Sequence, residues 1–381
     1  MRRKCYFMML LVGILIGQQT TEAQNGQSSA SKIQAALAAK SKADFVETPL
    51  SDVLDYLADR HNIPFFIDEL ALDDEGVSTD TPITDRGRVD TLSTLLDRIL
   101  GGTGLTWLIR DEVLFVTTRE KAEAMLDTHV FKIIKPMDAD ALIEDIASNI
   151  VPDAWDSVGG PSTICYLPEG RLIVSTIPKV DRQIKKHYSE LLRQVDTSNV
   201  GVVEIPGREL PVQQLNATTT VAFIDTPLGD VAEFLSDLHG IKFRIDSNAL
   251  NDVGLGKDIP ITANLRGIRL SSALNLILEQ TELVWNADKT GITFTTPEAS
   301  EAKAFLAAYR ATDLSADRRM LGLIEVVTTS IDPASWDQVG GTGAIRRGIR
   351  GTLDVRQRFG AHLQISKLLS DLRMAKKIMG R

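Results

Sequence analysis

Residues 45–53 read FVETPLSDV and residues 223–231 read FIDTPLGDV, one segment written twice at an offset of 178 (45 to 223). The offset persists. Ile67-Asp68 returns as Ile245-Asp246, Pro82-Ile83-Thr84 as Pro260-Ile261-Thr262, Trp107 as Trp285, and Thr117-Thr118 as Thr295-Thr296. It then slips to 181 (155 to 336), where Trp155-Asp156 and Val158-Gly159-Gly160 return as Trp336-Asp337 and Val339-Gly340-Gly341. The chain is a tandem duplication of a unit of about 150 residues, the size of one ordinary domain or a pair of small ones. Two copies in one chain form an alignment that separates residue types kept twice from those that changed.

Residues 1–23 have the form of a secretory signal. Arg2, Arg3 and Lys4 precede an apolar run at residues 5–17, and small residues Thr21 and Ala23 place a cut between Ala23 and Gln24. The run is short for a bilayer span, so export to the periplasm is expected, with an inner-membrane anchor through an uncleaved segment as the alternative. No later segment reads as membrane-spanning. Beyond the leader the one cysteine is Cys165, which excludes an intrachain disulfide. Its counterpart is Arg346, so a nucleophilic thiol would lose its surroundings in the repeat. A buried or half-buried filler is expected instead.

The net charge of −9 disfavours nucleic-acid binding. Charge is unevenly spread. Residues 310–381 hold thirteen Lys and Arg against seven Asp and Glu. A basic C-terminal part on an acidic body suits head-to-tail contacts or an anionic partner, and a solvated basic helix end accounts for it as well.

Each copy reads as strand and helix in alternation. Residues 24–42 read as a tether, partly helical. Thr48-Pro49 and Thr226-Pro227 predict a threonine cap with proline at the first helical position. Leu50, Val53, Leu54 and Leu57 then form one apolar stripe, as do Leu228, Val231, Ala232 and Leu235. His61-Asn62 and His239-Gly240 predict left-handed helix ends, with histidine complementing the helix dipole. Strands follow at Pro64–Ile67 and Thr81–Thr84, then a helix over Leu92–Leu100, then a hairpin over Leu105–Thr117. The second half of the unit predicts β-α-β-β-α, ending in a helix over Lys179–Val195. The linker at residues 199–220 is expected to be extended and exposed, with Val200–Ile205 able to add an edge strand.

The run FVETPLSDVLDYLADRHNIPFFID, Pro82-Ile83-Thr84, TLSTLLDRILGGTGLTW and the hairpin VLFVTT resemble the short N-terminal domain of secretins and TonB receptors. Copy two has the same order: FIDTPLGDVAEFLSDLHGIKFRID, IPIT, LSSALNLILEQTELVW, ITFTT. The second half-unit is similar to the small ring-building β-α-β-β-α module of secretins. The resemblance implies an α+β tandem duplication of two such pairs. Its parts are a signal peptide (1–23), a linker (24–42), a short N-terminal-like domain (43–120), a β-α-β-β-α module (121–198), a second linker (199–220), and the same two domains again (221–298 and 299–381). It also implies docking, ring stacking or signal relay through protein contacts. No run of alternating ten-residue lipid-facing strands follows, so pore formation does not carry over.

His61 and His239, each with an Asp two residues before (Asp59, Asp237) and seven after (Asp68, Asp246), invite a metal or acid–base reading. Residues at i, i+2 on a helix face different sides, and capping explains Asn62 and Gly240 too. Trp155 and Trp336 read either as exposed anchors at a partner interface or as plugs over the core, and the plug is favoured. Gly340–Gly343 forms a G-x-x-G near Arg346, Arg347 and Arg350, similar to a KH-domain loop. Copy one has Gly160-Pro161-Ser162-Thr163 there, which argues against nucleic acid. No catalytic motif, metal set or cofactor cradle is found. The expectation is a non-enzymatic exported protein that contacts envelope proteins or itself, with Trp155, Trp336, Arg346, Arg347 and Arg350 as candidate contact residues. A periplasmic receptor for a small ligand is the alternative.

Overall fold

The computed structural model describes residues 29–135, 137–167, 169–197, 200–315 and 320–379. The expected leader and its Ala23–Gln24 cut lie outside them. Copy one opens with α1 (Ser29–Ala38), β1 (Lys40–Pro49), α2 (Leu50–His61), β2 (Phe65–Ile67), α3 (Glu69–Asp74), β3 (Pro82–Thr91) and α4 (Leu92–Gly101). It continues with β4 (Leu105–Arg110), β5 (Val113–Thr118) and α5 (Arg119–Ala124). Its second half comprises β6 (Asp127–Ile133), α6 (Ala139–Asn149), β7 (Thr163–Leu167), β8 (Arg171–Thr176), α7 (Pro178–His187) and β9 (Leu192–Gln194). After α8 (Val212–Leu215), copy two runs through β10 (Thr218–Pro227), α9 (Leu228–His239), β11 (Phe243–Ile245), α10 (Ser247–Asp252), β12 (Pro260–Arg269) and α11 (Leu270–Glu279). It ends with β13 (Val284–Asp288), β14 (Gly291–Thr295), α12 (Pro297–Ala302), β15 (Phe305–Arg310), α13 (Leu321–Ser330), β16 (Ala344–Arg347), β17 (Thr352–Gln357) and α14 (Phe359–Met379).

The fold class is α+β, built from several small sheets. In copy one β1 and β3 form an antiparallel ribbon, and β5 lies between parallel β2 and antiparallel β4. The β7-β8-β6-β9 sheet follows. Copy two repeats the ribbon as β10-β12 and the sheets as β11-β14-β13 and β15-β17-β16. The predicted stripes are the buried faces of α2 and α9, and both helices end left-handed, at Asn62 (φ 51°) and Gly240 (φ 63°). Asparagine and glycine occupy that region at the lowest steric cost.

Four local expectations change. The cap of α2 is not Thr48, whose hydroxyl donates to the Val46 carbonyl within β1. The free amides of Leu50 and Ser51 donate instead to the Thr81 and Thr79 carbonyls, as Leu228 and Gly229 do to Ile259 and Lys257. The terminal amides need acceptors, and the backbone entering the next strand supplies them. The predicted helix to Val195 stops at His187, and Leu192–Gln194 turns back to pair with β6, burying Leu192. The tether is helical in part, as expected, at α1, but it is packed rather than free, with Ile33 and Leu37 buried. The second linker is packed rather than exposed: Ile205 and Leu215 are buried. The Asn216 side chain accepts from the Val202 amide at 2.7 Å and donates to its carbonyl at 2.8 Å, imitating a strand partner.

Candidate protein-docking surfaces

The histidines serve the fold. Nε2 of His61 lies 3.0 Å from Ser41 Oγ, and Nε2 of His239 lies 3.0 Å from Thr219 Oγ1, tying each helix end to the ribbon at equivalent positions. Burial holds both imidazoles below the ordinary histidine value, with Arg60 adding to the effect at His61. Asp68 is committed elsewhere. It is buried, accepts from Thr117 Oγ1 at 2.8 Å and pairs with Lys121 at 3.1 Å. Asp246, half-buried, likewise accepts from Thr295 Oγ1 and pairs with Lys303. Thr118 and Thr296 cap α5 and α12 through their hydroxyls. The doubled Thr-Thr pair is thereby explained, as a carboxylate ligand followed by a helix cap. The signal was present in the sequence, but α5 and α12 were too short to read from periodicity. Among the described residues no group of three or more His, Cys, Asp or Glu converges as a metal site.

The tryptophans correct the surface reading. Trp155 and Trp336 are each 1% exposed, and their indole N–H groups donate to the Ile150 and Ile331 carbonyls at 2.8 and 2.7 Å. A buried indole needs an acceptor, and the end of the preceding helix provides one. The Gly-Gly that follows is steric. Gly159 and Gly340 have φ of 90° and 95°, and a Cβ on Gly160 or Gly341 would collide with the Ala154 or Ser335 backbone. Trp155 and Trp336 are therefore unavailable as contact residues, whereas Arg346, Arg347 and Arg350 are exposed. Trp107 and Trp285 are buried too, donating to Asp97 and Asn275.

The copies pack on each other, and the packing explains where they diverge. Across the outer face of β2-β5-β4 the register aligns Phe66, Phe115 and Leu108. These three, with Val113, belong to the same buried cluster as the core of copy two. The equivalent row of β11-β14-β13 is Arg244, Thr293 and Asn286, where the Arg244 guanidinium donates to Thr293 Oγ1 at 3.3 Å. The second half-units behave alike. Helix α13 crosses β7 and β8, and α14 crosses β6. The row Cys165, Ile173 and Val130 faces this contact, and its equivalent in copy two is Arg346, Asp354 and Ala308. Copy one offers apolar sheet faces because copy two covers them. Copy two carries mostly polar residues at the equivalent positions. Cys165 sits half-buried at this seam, where burial pushes its thiol up to about 11, consistent with a filler.

Polar contacts fix the seam. The turn between β4 and β5 reaches the start of α11, where Glu112 accepts from the Arg269 amide at 2.6 Å and pairs with its guanidinium at 3.1 Å. Asn275 donates to Asp111 at 2.7 Å, and burial pushes the Asp111 carboxyl up against the opposing pull of Arg110. Glu279 joins Arg110 and Lys121, each at 3.0 Å. From sequence Asp111 and Glu112 are simply the middle of the hairpin predicted over Leu105–Thr117.

Outside the seam, exposed apolar residues recur at equivalent positions: Val46 (73%) with Ile224 (80%), Tyr56 with Phe234, and Val158 with Val339. Val46 and Ile224 sit on a bulge of each ribbon, beside Glu47 and Asp225, which hold φ of 48° and 46°. Non-glycine residues enter that region at a cost. The surface also holds open clefts of about 430 Å³ between α6 and α7 and about 510 Å³ between the linker and α14. Among the described residues no helix is long and apolar enough to cross a membrane.

No protein-family model matches the chain, and no curated protein does. Solved structures it is similar to come from type II secretion systems. They include the enterotoxigenic Escherichia coli GspC–GspD complex, at 14% identity and a TM-score of 0.17, covering 40% of this chain and 98% of that one. The structure of XcpQN012 gives 12% identity and a TM-score of 0.18, covering 64% and 97%. The Klebsiella pneumoniae outer membrane complex of PulD, PulS and the PulC HR domain gives 14% and 0.22, covering 87% of this chain and 50% of that one. At these TM-scores the similarity is weak, and function has to be argued from the surfaces of the chain itself.

Proposed function

We propose that this chain is a non-enzymatic, exported scaffold that works by protein–protein contact in a secretion or envelope assembly. In this reading residues 43–120, 121–198, 221–298 and 299–381 are four modules stacked two on two. The observation that carries it is the recurrence of exposed apolar residues at Val46/Ile224 and Tyr56/Phe234. Phe45 and Phe223 are buried against the Tyr56 and Phe234 rings, edge to face, so each exposed ring rests on an ordered base. Exposed apolar side chains gain nothing for the fold, and a rigid aromatic patch kept twice suits a partner surface.

The test is affinity capture from envelope extract with the mature chain, compared with a variant carrying Val46→Ser, Tyr56→Ser, Ile224→Ser and Phe234→Ser. Loss of a specific co-purifying protein with unchanged melting supports docking. Identical capture by both proteins sinks it. A strict monomer that melts higher with a small molecule would point to a receptor instead.

A further inference from the structure

The stack has two unlike ends. On copy one, α2 lies on the side of β2-β5-β4 that faces away from copy two, since Leu50, Val53, Leu54 and Leu57 share a separate cluster with α4. On copy two, the outer face of β15-β17-β16 points away from copy one, because α13 and α14 occupy the inner side. The first end is strongly acidic. Residues 43–80 hold eleven Asp and Glu against Arg60 as the one Lys or Arg. Ten of the eleven are exposed, Asp68 being the buried one, and of the ten Asp59 already pairs with Arg266 of copy two at 3.2 Å. Asp52 and Asp55 stand on the open side of α2, with Asp73, Asp74 and Glu75 at the end of α3. The second end is basic. Arg310, Arg346 and Arg356 are exposed on the outer sheet face, where Asp354 is the carboxylate between them, and Arg347 and Arg350 flank the β16–β17 turn. Asp354 also accepts from Thr352 Oγ1 at 2.9 Å. Each end carries exposed apolar side chains as well, Val46 and Tyr56 on one, Leu306 (61%) and Ile349 (85%) on the other.

We propose that the basic sheet face of one molecule docks the acidic α2 face of a second copy, head to tail. The proposal rests on the reading of the chain as a contact scaffold and names one partner for it. Both ends face outward, so a single molecule cannot pair them, and the contact is heterologous. Inside the molecule a helix layer already packs on a sheet face across an apolar seam. The outer sheet face of copy two carries Arg346, Asp354 and Ala308 in place of that apolar row, with Arg310 and Arg356 beside them, so the intermolecular contact is electrostatic, reversible and screened by salt.

The experiment is the mass distribution of the purified mature chain at roughly 0.01 M and roughly 1 M salt, where the Debye length falls from about 30 to about 3 Å. Concentration-dependent oligomers are expected at low salt, with monomers at high salt. Arg310→Gln/Arg346→Gln/Arg356→Gln and Asp52→Asn/Asp55→Asn/Asp74→Asn variants, with unchanged melting, should each be monomeric. Mixed together they should form a one-to-one dimer and nothing larger, because each supplies the face the other lacks. A monomer at low salt, oligomers that persist at high salt or in both variants, or a mixture that stays monomeric overturns the proposal. Failure here with envelope capture intact rejects self-docking alone.

Discussion

The stacking of the two copies makes an asymmetric prediction. Phe115 and Thr293 are equivalent residues on equivalent strands, yet exchanging their identities should have unequal effects. Phe115 is fully buried, stacks on Phe66 with ring centroids 5.6 Å apart, and lies under the Arg110 guanidinium. Removing a buried phenyl ring costs roughly 3–5 kcal/mol. Threonine would refill part of the volume but bring a hydroxyl into an apolar seam, at a cost of about 1–3 kcal/mol where it finds no partner. Phe115→Thr should therefore destabilise by about 3–5 kcal/mol, a large share of the 5–15 kcal/mol typical of a native protein. Thr293→Phe occupies a half-buried position and forfeits one hydrogen bond with Arg244, a loss of about 1 kcal/mol. Denaturant unfolding followed by tryptophan fluorescence measures both, since each copy carries two tryptophans. Uncoupling should also split the transition, with copy one unfolding first. Equal costs for the two exchanges, or a Phe115→Thr loss under about 1 kcal/mol, would refute the assignment of this sheet face to the seam.

Further outcomes follow from single contacts. Trp155→Phe leaves the Ile150 carbonyl without its donor and should cost about 2–4 kcal/mol, and Trp336→Phe the same at Ile331, read by thermal unfolding. Gly160→Ala should block folding of its half-unit, seen as loss of native Trp155 emission, whereas Gly102→Ala, which meets nothing within 4 Å, should be tolerated. Thr117→Val removes the donor to buried Asp68 and should cost about 1.5–3 kcal/mol, with Thr117→Ser recovering most of it. Burial holds His61, His239 and His362 below the ordinary histidine value, so the unfolded chain binds protons first as pH falls below about 6.5. Stability present above that pH is lost as pH falls through the lowered native values. A His61→Gln/His239→Gln chain should lose less between about pH 7 and about pH 5. A steeper loss in the variant would contradict the assignment.

Much of the fold follows from the sequence alone, because its determinants are local. The 178 and 181 offsets establish the duplication, the i, i+3, i+4, i+7 stripes set the buried faces of α2 and α9, and Asn62 and Gly240 end them left-handed. Competition between anchor and plug at Trp155 and Trp336 was also legible, since a Gly-Gly turn aims the ring and large aromatics bury. Non-local partners were not. The carbonyls that cap α2 come from residues about thirty positions later, and β9 exists because β6 offers an open edge that outweighs two more helical turns.

The sequence also held, unread, the divergence that matters most. Phe66, Phe115 and Leu108 against Arg244, Thr293 and Asn286 is visible in the internal alignment, but only strand register shows that each trio shares one face. Side chains alternate along a strand, while neighbours across a sheet are brought together by chain segments far apart in sequence. The sequence by itself determined that one α+β unit is built twice. The tertiary structure decided which sheet faces of copy one are covered by copy two, and so why those faces are apolar where their equivalents carry polar residues.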